Sequence, residues 1–305
     1  VYSWLQASLQ QLSQRAMTHS LHHALLLKGA KGIGKTEFAE QLGQFLLCAN
    51  KGTNAHTAGT KSDLVPCGHC QSCLLLTAGN HPDLYEIRSD KQIGVDAIRE
   101  AIKKLSGSAQ LSGAKVLIIH DAHTMTESSA NALLKTLEEP TNNTFLLLLS
   151  HQSERLLPTI LSRCEKVALP SPTLQGCHDW LSEQGYSNVD DAMLRLYSAS
   201  PLELIEHLKS PPKVSYNEVV ENIGYLSVGT LNAAALATKW QDEATTIVQW
   251  LQVWLVDQLK TGPHNIDALW EMQKACISAN EQLRNPGVNK SLVLVNVLQS
   301  IAQRP

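Results

Sequence analysis

The chain is 305 residues long, 43% hydrophobic, and carries a formal net charge of −3. That length provides two or three domains and a sizeable core, while the near-neutral charge argues against a stand-alone nucleic-acid binder driven by counterion release, so any DNA contact is expected to be shared with partners. No apolar run approaches a membrane span and no basic segment followed by an apolar core opens the chain, so a cytoplasmic protein without a membrane partner is expected; the absent initiator Met suggests a processed or trimmed chain.

Residues 2–23 read as a helical lead-in, with Leu5, Leu9 and Leu12 on one face, and Ala24 to Leu27 as a short buried strand. Directly after it stands Gly29-Ala30-Lys31-Gly32-Ile33-Gly34-Lys35-Thr36, a full match to G-x-x-x-x-G-K-[ST], followed by a helix through Phe38, Leu42 and Leu46. The glycines Gly29, Gly32 and Gly34 let backbone N–H groups turn inward around a phosphate. Lys35 would reach the β and γ phosphates, and the Thr36 hydroxyl would hold Mg²⁺. The pattern implies a P-loop fold in which ATP or ADP can bind, and says little about hydrolysis.

The seven cysteines are odd in number and clustered, which fits a reducing compartment with a metal site better than a disulfide framework. Cys48 ends the preceding helix, and Cys67, Cys70 and Cys73 make C-x-x-C-x-x-C. Four thiolates form a closed tetrahedral Zn²⁺ site with no position left for catalysis, so the expected role is structural. His56 and His69 are alternative ligands that do not improve on four cysteines, an iron–sulfur cluster is a weaker alternative, and the polar stretch Asn50–Pro66 reads as a loop tied off at the base of the site.

Leu84 to Ile87 reads as a strand and Val95, Ile98, Ile102 and Leu105 as one face of a helix whose solvent side carries Arg99, Lys103 and Lys104. The stretch Lys115 to Cys164 organises the rest. Val116 to Ile119 is a strand buried on both faces, ending at His120 and Asp121. Thr126 N-caps a helix with Ala130, Leu133, Leu134 and Leu137 on one side, and Pro140 stops it. Phe145 to Leu149 is the next parallel strand. Ser162-Arg163-Cys164 then sets an arginine at an element's end, a layout suited to phosphate. Pro170-Ser171-Pro172 and Ser210-Pro211-Pro212 mark boundaries, giving an expected division into 1–169, 170–210 and 211–305. The middle segment is a small helical unit with Trp180, Leu181, Leu194, Leu196 and Leu204 as core. The last is all-helical, with Val248, Leu251, Leu255 and Leu259 as one stripe and Trp240, Trp250 and Trp254 adding apolar area.

Gly29 to Thr36, the four cysteines, Asn131-Ala132-Leu133-Leu134-Lys135-Thr136-Leu137-Glu138-Glu139-Pro140 and Ser162-Arg163-Cys164 together resemble bacterial clamp-loader subunits of the AAA+ class, and within them the delta-prime type. The resemblance covers essentially the whole chain. It implies an α/β P-loop domain with a parallel sheet and zinc module, a helical lid, and an all-α collar that joins a ring with gamma/tau and delta subunits of a DNA polymerase III holoenzyme. Through that complex it implies contact with the sliding clamp and primed DNA. Hydrolysing gamma/tau relatives follow this strand with Asp-Glu, one for Mg²⁺ and one for the attacking water. Here the chain reads His120-Asp121-Ala122, so the catalytic Glu is missing in either register. Where those relatives carry a lid arginine, this chain has Ser200-Pro201-Leu202-Glu203. The family projects the arginine of Ser162-Arg163-Cys164 into a neighbour's ATP site. A guanidinium is always charged and forks onto phosphate oxygens, and an arginine finger in trans is worth roughly 10³ to 10⁵ in rate. The expectation is a ring-end subunit without independent ATPase turnover that lends Arg163 to its neighbour. The alternatives are an active gamma/tau-type ATPase, a zinc-stabilised DNA-binding module, and an Arg163 that is only a surface ion-pair residue.

Overall fold

The apolar runs of the first half become strands of one parallel sheet, because runs that are apolar on both sides can be buried on both faces only when helices cover each. In the computed structural model, which describes residues 1–51, 64–89, 91–111, 113–187, 189, 191–197, 200–261, 266–283, 285 and 287–302, five strands form the sheet. They are β1 (Ala24–Lys28), β2 (Leu84–Ile87), β3 (Lys115–Ile119), β4 (Thr144–Ser150) and β5 (Glu165–Ala168), in the order β2-β3-β4-β1-β5 with parallel neighbours throughout. His56 and most of the loop around it lie outside the described residues.

Strand side chains alternate, and the core follows the alternation. Leu25, Leu27, Val116, Ile118, Leu147 and Leu149 join the cluster built on α1 (Ser3–Met17) and α2 (Lys35–Leu47). Leu26, Leu117, Ile119, Leu146 and Leu148 join the opposite cluster, built on α4 (Val95–Ser106) and α5 (Glu127–Glu138), while α3 (Gln71–Thr77) starts after Cys70 and contains Cys73. The expected cap is present: Thr126 Oγ1 accepts from the Ser129 backbone N–H at 3.2 Å, satisfying one orphan donor of α5. The chain passes through α6 (Pro158–Leu161) into β5, an edge strand whose side chains alternate between half-buried and exposed. Arg99, Lys103 and Lys104 are exposed on α4, as a solvated face requires, with Lys104 paired to Glu100 at 2.8 Å.

Lys115 opens β3 fully inside the protein. Its Nζ donates to the Gly107 carbonyl at 2.6 Å and to Thr141 Oγ1 at 2.7 Å, and also to the Leu105 carbonyl, which ties the end of α4 to the β3–β4 region. Burial lowers its pKa, and these acceptors supply the bonds that water would otherwise make.

The described residues group into two compact units, residues 1–187 with 198–203, and residues 188–197 with 204–305. Segment 170–210 is divided between them: α7 (Leu174–Glu183) lies in the first unit, α8 (Asp191–Tyr197) in the second, and α9 (Pro201–Lys209) starts in the first and continues in the second. The second unit also holds α10 (Tyr216–Ser227), α11 (Ala233–Trp240), α12 (Ala244–Thr261), α13 (Ile266–Leu283) and α14 (Lys290–Ala302). Trp240, Trp250 and Trp254 are all buried in its core with Val248, Leu251 and Leu255. Leu259 departs from the expected stripe. It keeps the stripe's helical phase, but the cluster ends at Leu255 and Leu259 is 53% exposed in the last turn of α12. Trp270, which the sequence pattern does not single out, is exposed. Among the described residues no helix is long and apolar enough to cross a membrane.

Candidate functional site

The carboxyl ends of β3, β4 and β1, three neighbours in the sheet, open onto one cavity of about 270 Å³, lined among others by Gly32, Gly34, Lys35, Thr36, Asp121, His151 and Leu202. Ligands of open parallel sheets bind at this edge. The Gly29–Thr36 loop leaves β1 and delivers the amino end of α2 into the cavity, where unpaired N–H groups favour an anion. Two of its glycines are required by geometry. Gly34 has φ +92°, and a Cβ there would come within 2.3 Å of the Tyr2 ring; Gly32 has φ +72°, and a Cβ would meet Glu203 Cγ at 2.9 Å. Lys35 Nζ donates to the carbonyls of Gly29 at 3.1 Å and Ala30 at 2.6 Å. Burial pushes its pKa down to about 8, against the opposing pull of Asp121 and Glu203.

Asp121 stands just beyond β3 with φ 45°, a left-handed conformation that Asp tolerates better than most residues and that turns its carboxylate to the cavity. The His151 hydrogen bond, 3.2 Å from Nδ1 to Oδ1, holds that carboxyl below the usual range against the effect of burial. The next residue, Ala122, is wholly buried in the core, so no second carboxylate follows Asp121. His120 also reaches the cavity wall, but its Nε2 lies 3.4 Å from Glu86 Oε2.

Several residues around this loop are not marked for it by the sequence, and Trp180, expected in the core of the helical segment 170–210, meets Tyr2 and Trp4 here. Tyr2 stacks on Trp4 with ring centroids 4.9 Å apart, and both meet Trp180 edge-on at 5.5 and 5.6 Å. Trp4 Nε1 donates to the Ile33 carbonyl at 3.0 Å, fastening this aromatic group to the loop. On another side, the Leu202 N–H donates to the Gly32 carbonyl at 3.1 Å and Lys31 pairs with Glu203 at 2.8 Å. Leu202, read as standing where relatives carry an arginine, is thus brought to the cavity, where it offers apolar surface and no charge.

The four cysteines converge. Cys48 caps the end of α2 and Cys70 the start of α3, and the sulfurs of Cys48, Cys67, Cys70 and Cys73 all lie within 4.8 Å of one another. Cys48 and Cys70 are 4.0 Å apart and Cys67 and Cys73 3.9 Å. Sulfurs at the corners of a tetrahedral zinc site would be about 3.8 Å apart, so the set fits a metal ion with little movement. Backbone N–H groups of Cys67, Cys70 and Cys73 donate to the sulfurs of Cys48, Cys67 and Cys70 respectively, which favours thiolates. Burial raises the thiols of Cys48 and Cys73, the latter to about 12, whereas at Cys70 burial is outweighed by the N–H groups of Cys73 and Ala49 and the neighbouring thiols, which bring it down to about 6, so one thiolate of the set forms readily. His69 is not part of the set: its Nδ1 bonds the Cys67 carbonyl at 2.7 Å.

The motifs Asn131–Pro140 and Ser162-Arg163-Cys164 meet at a corner of the same unit. Cys164 is buried against the α4–α5 core and anchors the chain, so that Arg163 faces outward between two fixed elements. Its Nε donates to Glu138 Oε1 at 2.6 Å, with a second contact from Nη2, and Nη1 donates to the Thr159 carbonyl at 3.0 Å. About a third of the side chain (32%) stays exposed.

The family model described as "DNA polymerase III, delta subunit" matches residues 4–173. The DNA polymerase III subunit delta' of Escherichia coli K12 is 35% identical over 85% of this chain and 76% of its own length. Its counterpart from Pseudomonas aeruginosa is 36% identical over 85% of this chain and 77% of its own. A crystal structure of a DNA polymerase III gamma subunit-related protein from Thermotoga maritima covers 97% of this chain and 99% of that one, with a TM-score of 0.51 at 20% identity, a likeness of fold. Identity at that level across most of both chains, with more than half of this one matched by the family model, makes the chain a member of the delta-prime subunit family of DNA polymerase III.

Proposed function

We propose that the chain is a clamp-loader subunit of the AAA+ class, placed at the end of a subunit ring, that lends Arg163 to the ATP site of an adjoining gamma/tau-type subunit. In this reading residues 1–169 are the ATPase-like domain, 170–210 the lid and 211–305 the collar that joins the other subunits, delta-type included. The assembly opens the sliding clamp and loads it on primed DNA in the cytoplasm. The observation that carries the reading is Arg163 itself, which stands beside buried Cys164 and keeps 32% of its side-chain surface exposed. A guanidinium so placed can stabilise charge developing on a neighbour's γ-phosphate once it exchanges Glu138 for phosphate oxygens.

The chain's own cavity suits holding phosphate better than splitting it. Gly29, Gly32, Gly34, Lys35 and Thr36 would cradle ATP or ADP, with Mg²⁺ held at Thr36 and Asp121. The cavity, at about 270 Å³, lies just under the range of small-molecule pockets, roughly 300–1,000 Å³, and its lining by Gly32, Gly34, Lys35 and Thr36 suits phosphate groups. Asp121 has no carboxylate after it to orient water, and Leu202 brings no cation. Zn²⁺ on Cys48, Cys67, Cys70 and Cys73 would close the loop between α2 and α3; when bound it supplies folding energy and no open coordination position.

ATP turnover by the purified chain is the test. The expected result is nucleotide binding without turnover; hydrolysis at the rate of the assembled loader would support the gamma/tau-type alternative instead. The contact with Glu138 favours a second reading, in which Arg163 serves only this chain's own ion pair. That reading requires Arg163→Ala to weaken the fold measurably while leaving the assembly's hydrolysis unchanged.

A further inference from the structure

A second group of metal-binding side chains lies at the rim of the P-loop cavity, formed by Asp121 after β3, His123 two residues on, and His151 directly after β4. One ligand atom from each lies within 4.8 Å of the other two. We propose that Asp121, His123 and His151 bind a divalent cation of the zinc, cobalt and nickel class directly, at a site separate from the four cysteines.

The donor set selects the cation. Two imidazoles and one carboxylate suit Zn²⁺, Co²⁺ and Ni²⁺, whereas Mg²⁺ prefers an all-oxygen shell and keeps its waters. Three protein ligands also leave at least one position open, which is the mark of a reactive or exchangeable site rather than a closed structural one. The mechanics are favourable as well. Ligand atoms around such a cation sit about 3.0–3.5 Å apart, so the group must tighten by roughly an ångström. His123 is buried, meets His151 edge-on at 4.3 Å between ring centroids, and is steadied by Ser150 Oγ at 3.3 Å. His151 and Asp121 keep 20% and 52% of their side-chain surface exposed and are already joined at 3.2 Å, so they are the two that can move. The left-handed backbone at Asp121 fits this use, since strain of that kind persists where a side chain must be aimed. The site needs no nucleotide, but it shares Asp121 with the Mg²⁺ position proposed above, so it is tested with nucleotide and Mg²⁺ left out.

The test is a Co²⁺ titration of the full chain, with zinc already seated on the cysteines, followed by calorimetry and visible absorption. One further equivalent is expected, with weak d–d bands and no intense thiolate-to-metal charge transfer. His151→Gln, a change at a cavity-wall position, should weaken that equivalent at least ~100-fold while zinc content and circular dichroism stay unchanged, as losing a direct ligand must cost no less than losing an outer-sphere partner. His123→Ala should act alike, and His22→Ala, in the stacked pair His22–His23 just before β1, should leave that equivalent unchanged. The proposal is overturned if no further equivalent binds, if it persists undiminished in His151→Gln, or if its spectrum shows thiolate ligation.

Discussion

At the phosphate cradle the polar groups are engaged within the chain. Lys35 bonds the carbonyls of its own loop, Lys31 is held by Glu203, Asp121 by His151, and three aromatic rings close one flank. At the other corner of the unit, Arg163 has Glu138 as its acidic partner and keeps part of its surface in water. The two cations differ in what it costs to redirect them. Lys35, itself buried, must give up two carbonyl bonds before it reaches a phosphate. Arg163 gives up an exposed pair with Glu138, worth about 0–1 kcal/mol, and an exposed bond to the Thr159 carbonyl, for a phosphate that binds a guanidinium bidentately. The cation most easily lent to another molecule is therefore the one outside the chain's own cavity.

The sharpest attack on the closed side of this comparison is Gly34→Ala. A Cβ at φ +92° is strained and collides with the Tyr2 ring, so a loss of about 3 kcal/mol is expected in urea denaturation. A loss below about 1 kcal/mol would mean that Tyr2 does not pack on the loop. Next in size is Trp4→Phe, which keeps the stacked ring and deletes one bond to the Ile33 carbonyl. It should cost about 1 kcal/mol by the same measurement. An unchanged midpoint would show that the aromatic group rests beside the loop without holding it.

These features mark the limit of what the sequence discloses. β1, β3 and β4 are legible because strands buried on both faces are written as unbroken apolar runs, and Thr126 and Pro140 bracket α5 by local chemistry alone. β5 is an edge strand without such a run, and it goes unannounced. The P-loop and the cysteines are legible because their chemistry fixes residue type and spacing within a few positions. Tyr2, Trp180 and His151 reach the site across distant sequence positions, which no local pattern encodes. The position of His151 directly after an apolar strand is the one available hint. Leu259 fails for a related reason: helical phase predicts which face is apolar, but whether neighbours extend along that face is a tertiary fact.

A smaller effect tests Lys35 through its protons. Its folded pKa, about 8, lies below the value of an unfolded lysine, so at lower pH the charged form is buried at a cost. That cost is relieved, and stability rises, as pH passes upward from about 8 towards the unfolded pKa, where the native state has released a proton that the unfolded state still holds. A phosphate beside Lys35 should raise its pKa again. ADP binding at pH 8.5, followed calorimetrically in buffers of different ionisation enthalpy, should therefore take up a fraction of a proton per site. No proton uptake on binding would mean that Lys35 does not meet the phosphates.

The central claim concerns the other cation, and Arg163→Ala in the reconstituted clamp-loader assembly tests it most directly. On its own the variant chain should lose no more than about 1 kcal/mol of stability, as expected for an exposed pair. In the assembly, ATP hydrolysis at the adjoining subunit should fall by roughly 10³-fold or more, with nucleotide still bound there. Hydrolysis at the full rate by an assembly carrying Arg163→Ala would contradict the account.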